Sequence, residues 1–396
     1  MERRFGPVLR ITAYLFLISQ FAVLVPYNNS LHLYGRGIIC VIFFVLLISK
    51  NIKFEKKELN VFILLTLPFC FYMFLQGLIT QDVMPLKKAI SFFSGSVSAI
   101  AVYKMLGLKK IFNFLLVFIL FNCLTSFIWL LNGTLYIDSL SGKLYTVYLT
   151  LQQAIYPLNQ SLNGFDIVRL SGFTGNPNTI GALTAFCFVY GNFIEVPPKK
   201  KIFMYIVALV AIIISQSRGA VLFIIIYCFF VMIQSRYYPL WKKLIISSLF
   251  IVAIFGIMQW SEYRDNITDI SSGRIDMASM AYSAFENSSE IYQVAGIPYN
   301  INDFLWNETH QMKITIDNSY LVSLISFGYL GTLINYFSLI CLLMYIYFKT
   351  HNNKVVAFYI ALFIYGGVES ILLNSDQKLL YEILFYDMLS RRLQIE

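Results

Sequence analysis

Lys110-Ile-Phe-Asn-Phe-Leu-Leu-Val-Phe-Ile-Leu-Phe-Asn-Cys-Leu-Thr-Ser-Phe-Ile-Trp-Leu-Leu131 carries no charge after its leading lysine. As a helix rising 1.5 Å per residue, 111–131 is about 32 Å long, which matches the ~30 Å hydrocarbon core of a bilayer. The same pattern recurs along the chain. Further apolar helical stretches fall at 9–26, 32–49, 60–79, 89–107, 178–195, 202–215, 219–234, 243–260, 329–348, 355–373 and 377–390. The segment 202–215 is short, and 377–390 is weakened by Glu382 and Asp387, so the reading is about 12 transmembrane helices with eleven as the alternative.

Composition agrees. The 396 residues are 58% hydrophobic and 13% charged, where a soluble domain averages about 25% charged. The expected fold class is an all-α polytopic helical membrane protein, a single integral membrane domain over 1–396. The net charge of +9 is then a matter of topology. No basic cluster interleaved with aromatics forms a soluble module, so nucleic acid is excluded as a partner. The six cysteines all lie in apolar stretches without CxxC spacing, and the three histidines are far apart, so neither disulfides nor a metal site is expected. The first apolar stretch ends Val25-Pro-Tyr-Asn-Asn29 without a small-residue cleavage site and reads as an uncleaved first helix.

Basic residues set the orientation. With the N-terminus inside, the inner loops collect Arg3/Arg4/Arg10, Lys50/Lys53/Lys56/Lys57, Lys104/Lys109/Lys110, Lys199/Lys200/Lys201, Arg236/Lys242/Lys243, Lys349/Lys354 and Arg391/Arg392. These are 20 of the 30 Lys and Arg. The positive-inside rule therefore places both termini in the cytoplasm. Two long loops, 132–177 and 261–318, fall outside. Loops of that length in compact proteins are usually functional or disordered. In the second, the apolar patches Met277–Phe285 and Leu305–Trp306 predict ordered amphipathic pieces, and Asp317–Ser319 predicts a helix start.

Three arginines break the charge rule by lying on the outer side. They sit in polar strings: Arg169-Leu-Ser-Gly-Phe-Thr-Gly-Asn-Pro-Asn178, Ser215-Gln-Ser-Arg-Gly219 and Ser271-Ser-Gly-Arg274. Asn178 reads as the N-cap of helix 178–195, Arg218 as the tight turn before helix 219–234, and Asp317-Asn318-Ser319 as a cap further on. All three helices run inward, so their N-termini, with free N–H groups and partial positive charge, face outward. Together with Arg169, Arg218 and Arg274 they suit a phosphate or pyrophosphate, which Arg grips bidentately. Singly, each feature has an ordinary reading: a solvated arginine, a turn with a cap. Glu369, near the outer end of 355–373, is a candidate partner for one of the arginines.

Those strings, taken in order with Asp317-Asn-Ser-Tyr-Leu321 and Gly328-x-x-Gly331, resemble the landmarks of the bacterial O-antigen polymerase/O-antigen ligase superfamily over residues 165–345. The resemblance implies a GT-C-like membrane glycosyltransferase using oligosaccharides linked to undecaprenyl pyrophosphate, without metal or other cofactor. It implies that Arg169, Arg218 and Arg274 hold the pyrophosphate, with Asn176, Asn178 and Asn318 beside them. Ligases of the superfamily place a His before the Asn of the last motif, where this chain has Asp317. That departure favours a polymerase of surface polysaccharide repeat units, with a chain-length regulator and a flippase as partners in the bacterial inner membrane. Asp317, or His310 if the loop folds back, is the candidate general base. The alternatives are a ligase with lipid A-core as acceptor, or a lipid-linked oligosaccharide flippase. The flippase is disfavoured because transporters usually carry midplane charges or broken helices, whereas here polar groups gather at the outer ends.

Overall fold

A computed structural model describes residues 6–21, 37–42, 45, 55–132, 174, 177–215, 217–235, 239–245, 247–248, 274–299, 301–309, 318–368, 372 and 375–390. Among these residues the protein is helical and contains no strand. The helices used below are α1 (Pro7–Phe21), α2 (Lys56–Thr80), α3 (Met84–Leu106), α4 (Leu108–Asn132), α5 (Pro177–Phe193), α6 (Pro198–Ser215), α7 (Arg218–Gln234), α8 (Arg274–Glu286), α9 (Glu290–Ala295), α10 (Ile301–Thr309), α11 (Ser319–Thr350), α12 (Asn353–Val368) and α13 (Ser375–Ser390). Four, namely α2, α3, α11 and the Leu108–Ser126 part of α4, are long and apolar enough to cross a membrane; α1, α7 and α12 are apolar but shorter. This is a helical membrane protein. The amphipathic pieces expected in the second long loop are present as α8 and α10.

The helix expected to be weakest is the most buried. Every α13 side chain from Lys378 to Leu389 is buried, Glu382 and Asp387 included. They mark a helix packed in the middle of the bundle, touching α2, α3, α4, α5 and α11. Burying a charge in such a place is tolerated only with partners. Lys378 Nζ lies 3.0 Å from Glu382 Oε1, one turn along the same helix. Ser96 Oγ donates to that oxygen (2.8 Å), while accepting from Lys378 Nζ (2.8 Å) and from Thr66 Oγ1 (2.9 Å). Lys378 also lies over the Phe92 ring. Thr66 and Ser96 stand about midway along α2 and α3, so this neutral network sits at mid-bundle depth. A midplane charge pair is what the sequence was expected not to have.

α11 is continuous in chain but broken in geometry. Gly328 has φ 64° and ψ −174°, a conformation open essentially only to glycine. The apolar stretch predicted to begin at residue 329 therefore begins at a real break. A break frees carbonyls, and buried carbonyls need donors. Here each has one: Ile297 N–H donates to Ile325 O (2.8 Å), Gln76 Nε2 to Ser326 O (2.8 Å), and the Tyr72 hydroxyl to Phe327 O (2.6 Å). The same hydroxyl also reaches Ala295 O at 2.8 Å, tying the end of α9 to α2 and α11 at one point. A Cβ on Gly328 would lie 2.3 Å from Val294 O and 2.6 Å from Gly296 N. We expect Gly328→Ala to destabilise the protein by about 2 kcal/mol or more and to loosen residues 287–297 toward limited proteolysis. Gly95→Ala, in a helix with nothing within 4 Å, should be neutral or gain up to about 1 kcal/mol. Equal tolerance of both changes would refute this account of the break.

One end of the bundle is basic. Glu58 caps the start of α2 and pairs with Lys104 at the end of α3 (2.6 Å), Lys200 bonds Asn113, and Lys354 Nζ donates to Asn192 O.

Candidate functional site

The opposite end holds the features singled out in the sequence. α7 begins with Ser217 as N-cap, its Oγ accepting from Ala220 N–H (3.4 Å), and exposed Arg218 is the first helical residue. α5 begins at Pro177, a residue suited to the first helical position. Asn178 is thus inside the first turn and is not the cap that the sequence led us to expect; it is half-buried. The two starts touch: a Cβ on Gly181, in the first turns of α5, would stand 2.3 Å from Ser217 Cβ. From there α5 and α7 run parallel, through the ring pairs Phe186–Phe223 and Phe188–Tyr227. α12 runs against α7, with Tyr365 on Phe223.

The end of α12 in turn meets the start of α11. Gly366 approaches Ser319, the Tyr320 hydroxyl donates to Phe363 O (2.5 Å), and Ser319 Oγ accepts from Leu372 N–H (3.2 Å). Asn318 caps α11 as expected: its Oδ1 accepts from the N–H of Tyr320 (2.8 Å) and of Leu321 (3.2 Å). That oxygen is committed to the helix start, so contact with a ligand would fall to the amide nitrogen. Three helix N-termini therefore open at one end of the bundle, with Arg218 and Asn178 among them. Arg274 is the first residue of α8, a helix that packs on α11. Arg169, Asn176, His310, Asp317 and Glu369 lie outside the described residues.

The chemistry available at this end is electrostatic. Helix N–H groups and an arginine attract an anion, and a group placed there meets preoriented dipoles. On α8, the Tyr282 hydroxyl is pushed up to about 12 by its hydrogen bond to the Glu286 carboxylate and by that charge, so it stays protonated at any ordinary pH. Among the described residues no group of three His, Cys, Asp or Glu is placed to hold a metal.

Sequence reasoning missed two sets of residues. Lys88 is half-buried with its ammonium over the Phe327 ring (5.8 Å), beside the break in α11. Lys87-Lys88 lies in an outer position by the charge count, the same oddity that singled out the arginines, so the signal was available. In the Lys378–Glu382–Ser96–Thr66 network, the Ser96–Glu382 bond joins positions 286 residues apart. Only an unexplained charge pair one turn apart on an apolar helix hinted at it.

No family model matches this chain, and no curated protein matches it.

Proposed function

We propose that the protein is a surface-polysaccharide polymerase, joining undecaprenyl-pyrophosphate-linked oligosaccharide repeat units on the outer face of the bacterial inner membrane. The carrying observation is the convergence of three helix N-termini with Arg218 at the end of the bundle away from Lys104, Lys200 and Lys354. With the basic end in the cytoplasm, both termini are inside and the convergent end is outside. Outside there is no ATP, so the bond energy must arrive in the substrate, as it does in a sugar linked to a lipid pyrophosphate. The acceptor hydroxyl attacks the anomeric carbon, its proton passes to a base, and the pyrophosphate departs with the bonding pair. Charge building on that leaving group is what Arg218, Arg274 and Arg169 would stabilise. Asp317 is the candidate base, with His310 behind it, and no metal is required.

The test is genetic. Deletion of the gene should leave a single repeat unit on the acceptor, seen on a gel as loss of the ladder with one step retained. Full-length polymer left on the carrier lipid would indicate a ligase instead. Repeat units stranded inside the cell would indicate a flippase.

The flippase reading has one specific observation in its favour, the broken α11 together with the buried Lys378–Glu382 pair. Breaks that serve transport leave backbone carbonyls open to an ion or substrate. Here the carbonyls of Ile325, Ser326 and Phe327 are all taken by protein donors, and the charge pair is neutral within itself. Both features read better as seams of a fixed bundle.

A further inference from the structure

The long loop 261–318 was expected to lie wholly outside the membrane, but one part of it does not stand clear. α9 starts at exposed Glu290 and runs toward the bundle, ending where Ala295 O accepts from Tyr72 and Gly296 packs against Phe327 and Gly328. The depth of that point can be judged from the opposite end. Tyr72 is 14 residues along α2 from Glu58, whose pairing with Lys104 marks the basic boundary, or about 21 Å of helix. The hydrocarbon layer is about 30 Å thick. Counted along α11 from Lys349, Gly328 comes at about 31 Å. The first count puts the tip of α9 about 9 Å inside the outer edge of that layer and the second at the edge, so it lies in the outer third.

The surface of α9 matches this place. Its buried side faces α11, while Ile291 and Val294, one turn apart, are 61% and 53% exposed. They continue an apolar surface formed by exposed Tyr329, Leu330, Leu333 and Phe337 on α11, a helix long and apolar enough to cross the membrane. The acidic residue of α9 is at its outer end and its apolar residues follow inward. Apolar side chains exposed at that depth meet acyl chains, while the acidic end stays with the headgroups.

We infer that α9 is a re-entrant helix whose Ile291–Val294 face is covered by phospholipid acyl chains of the outer leaflet. The loop is thereby anchored at the membrane surface next to the α11 break.

The test is photocrosslinking in native membranes. Benzoylphenylalanine at position 291 or 294 of the full chain should add the mass of one phospholipid after illumination; at exposed Ser283 of α8 it should not. Cross-links from 291 and 294 to this chain, to a second copy or to another protein would overturn the inference, as would no adduct at all. A second measurement needs no variant. The wild-type chain in nanodiscs of phosphatidylethanolamine and phosphatidylglycerol, doped with an acyl-chain diazirine lipid, should be labelled within 290–295. Labelling confined to the spanning helices would overturn it.

Discussion

Glu382→Ala is expected to destabilise the folded protein by about 3–5 kcal/mol, the cost of leaving one member of a buried ion pair without the other. Lys378 is 2% exposed and would face a largely apolar interior, with the Ser96 hydroxyl and the Phe92 ring beside it but no carboxylate from Glu382. Lys378→Met should cost a similar amount, because it strands the carboxylate. The double change Lys378→Met/Glu382→Leu should recover most or all of the loss, since apolar residues of similar volume replace a buried pair at little or no cost. Thermal unfolding of the four proteins in detergent closes this double-mutant cycle. Additive losses with no recovery in the double variant would show that the two charges act separately. Among the described residues Glu382 Oε2 has no hydrogen-bond partner, so Glu382→Gln, which keeps the shape and one acceptor, should fall between wild type and Ala.

Arg218→Ala is expected to abolish polymer while leaving the fold intact. The side chain is exposed at the first position of α7, and the cap is made by Ser217, so stability should change by no more than about 0.5 kcal/mol. If Arg218 stabilises a departing pyrophosphate, turnover should drop by about 10²–10³, the loss seen when one preorganised stabilising group is removed. Arg218→Lys should restore part of it, because the charge remains but the bidentate fork does not. Polymer length on a gel, together with protein level in the membrane, reads both quantities. A normal ladder from Arg218→Ala and from Arg274→Ala at normal protein levels would sink the pyrophosphate site.

The parts of this structure that depend on neighbours in sequence were legible. Among the described residues, helix positions followed from apolar runs and the Asn318 cap from its residue type, whereas the break at Gly328 was not foreseen. The start of α5 was misplaced by one residue. Asn176-Pro-Asn178 offers an asparagine on either side of the proline as a cap, and the helix begins at the proline itself, which suits the first helical position. The burial of α13 was not legible, for a different reason. Its Lys and Glu lower the apparent hydrophobicity, and the hydroxyls that make them affordable, Ser96 and Thr66, come from two other helices. Nothing local in 377–390 announces them. That the helix starts share one end of the bundle was legible, but the contact of Gly181 with Ser217 that joins two of them was not.

The fixed break in α11 also bears on how the chain is assembled. Unbroken, its 32 residues would extend about 48 Å, well beyond the thickness of a bilayer. The three donors that hold the bend belong to Tyr72, Gln76 and Ile297, all synthesised before residue 328. When α11 enters the membrane, the groups that shape it are already made. Biogenesis therefore has a direction, in which earlier segments act as a mould for a later one. A circularly permuted chain that makes α11 before α2 would have to insert this helix without its mould.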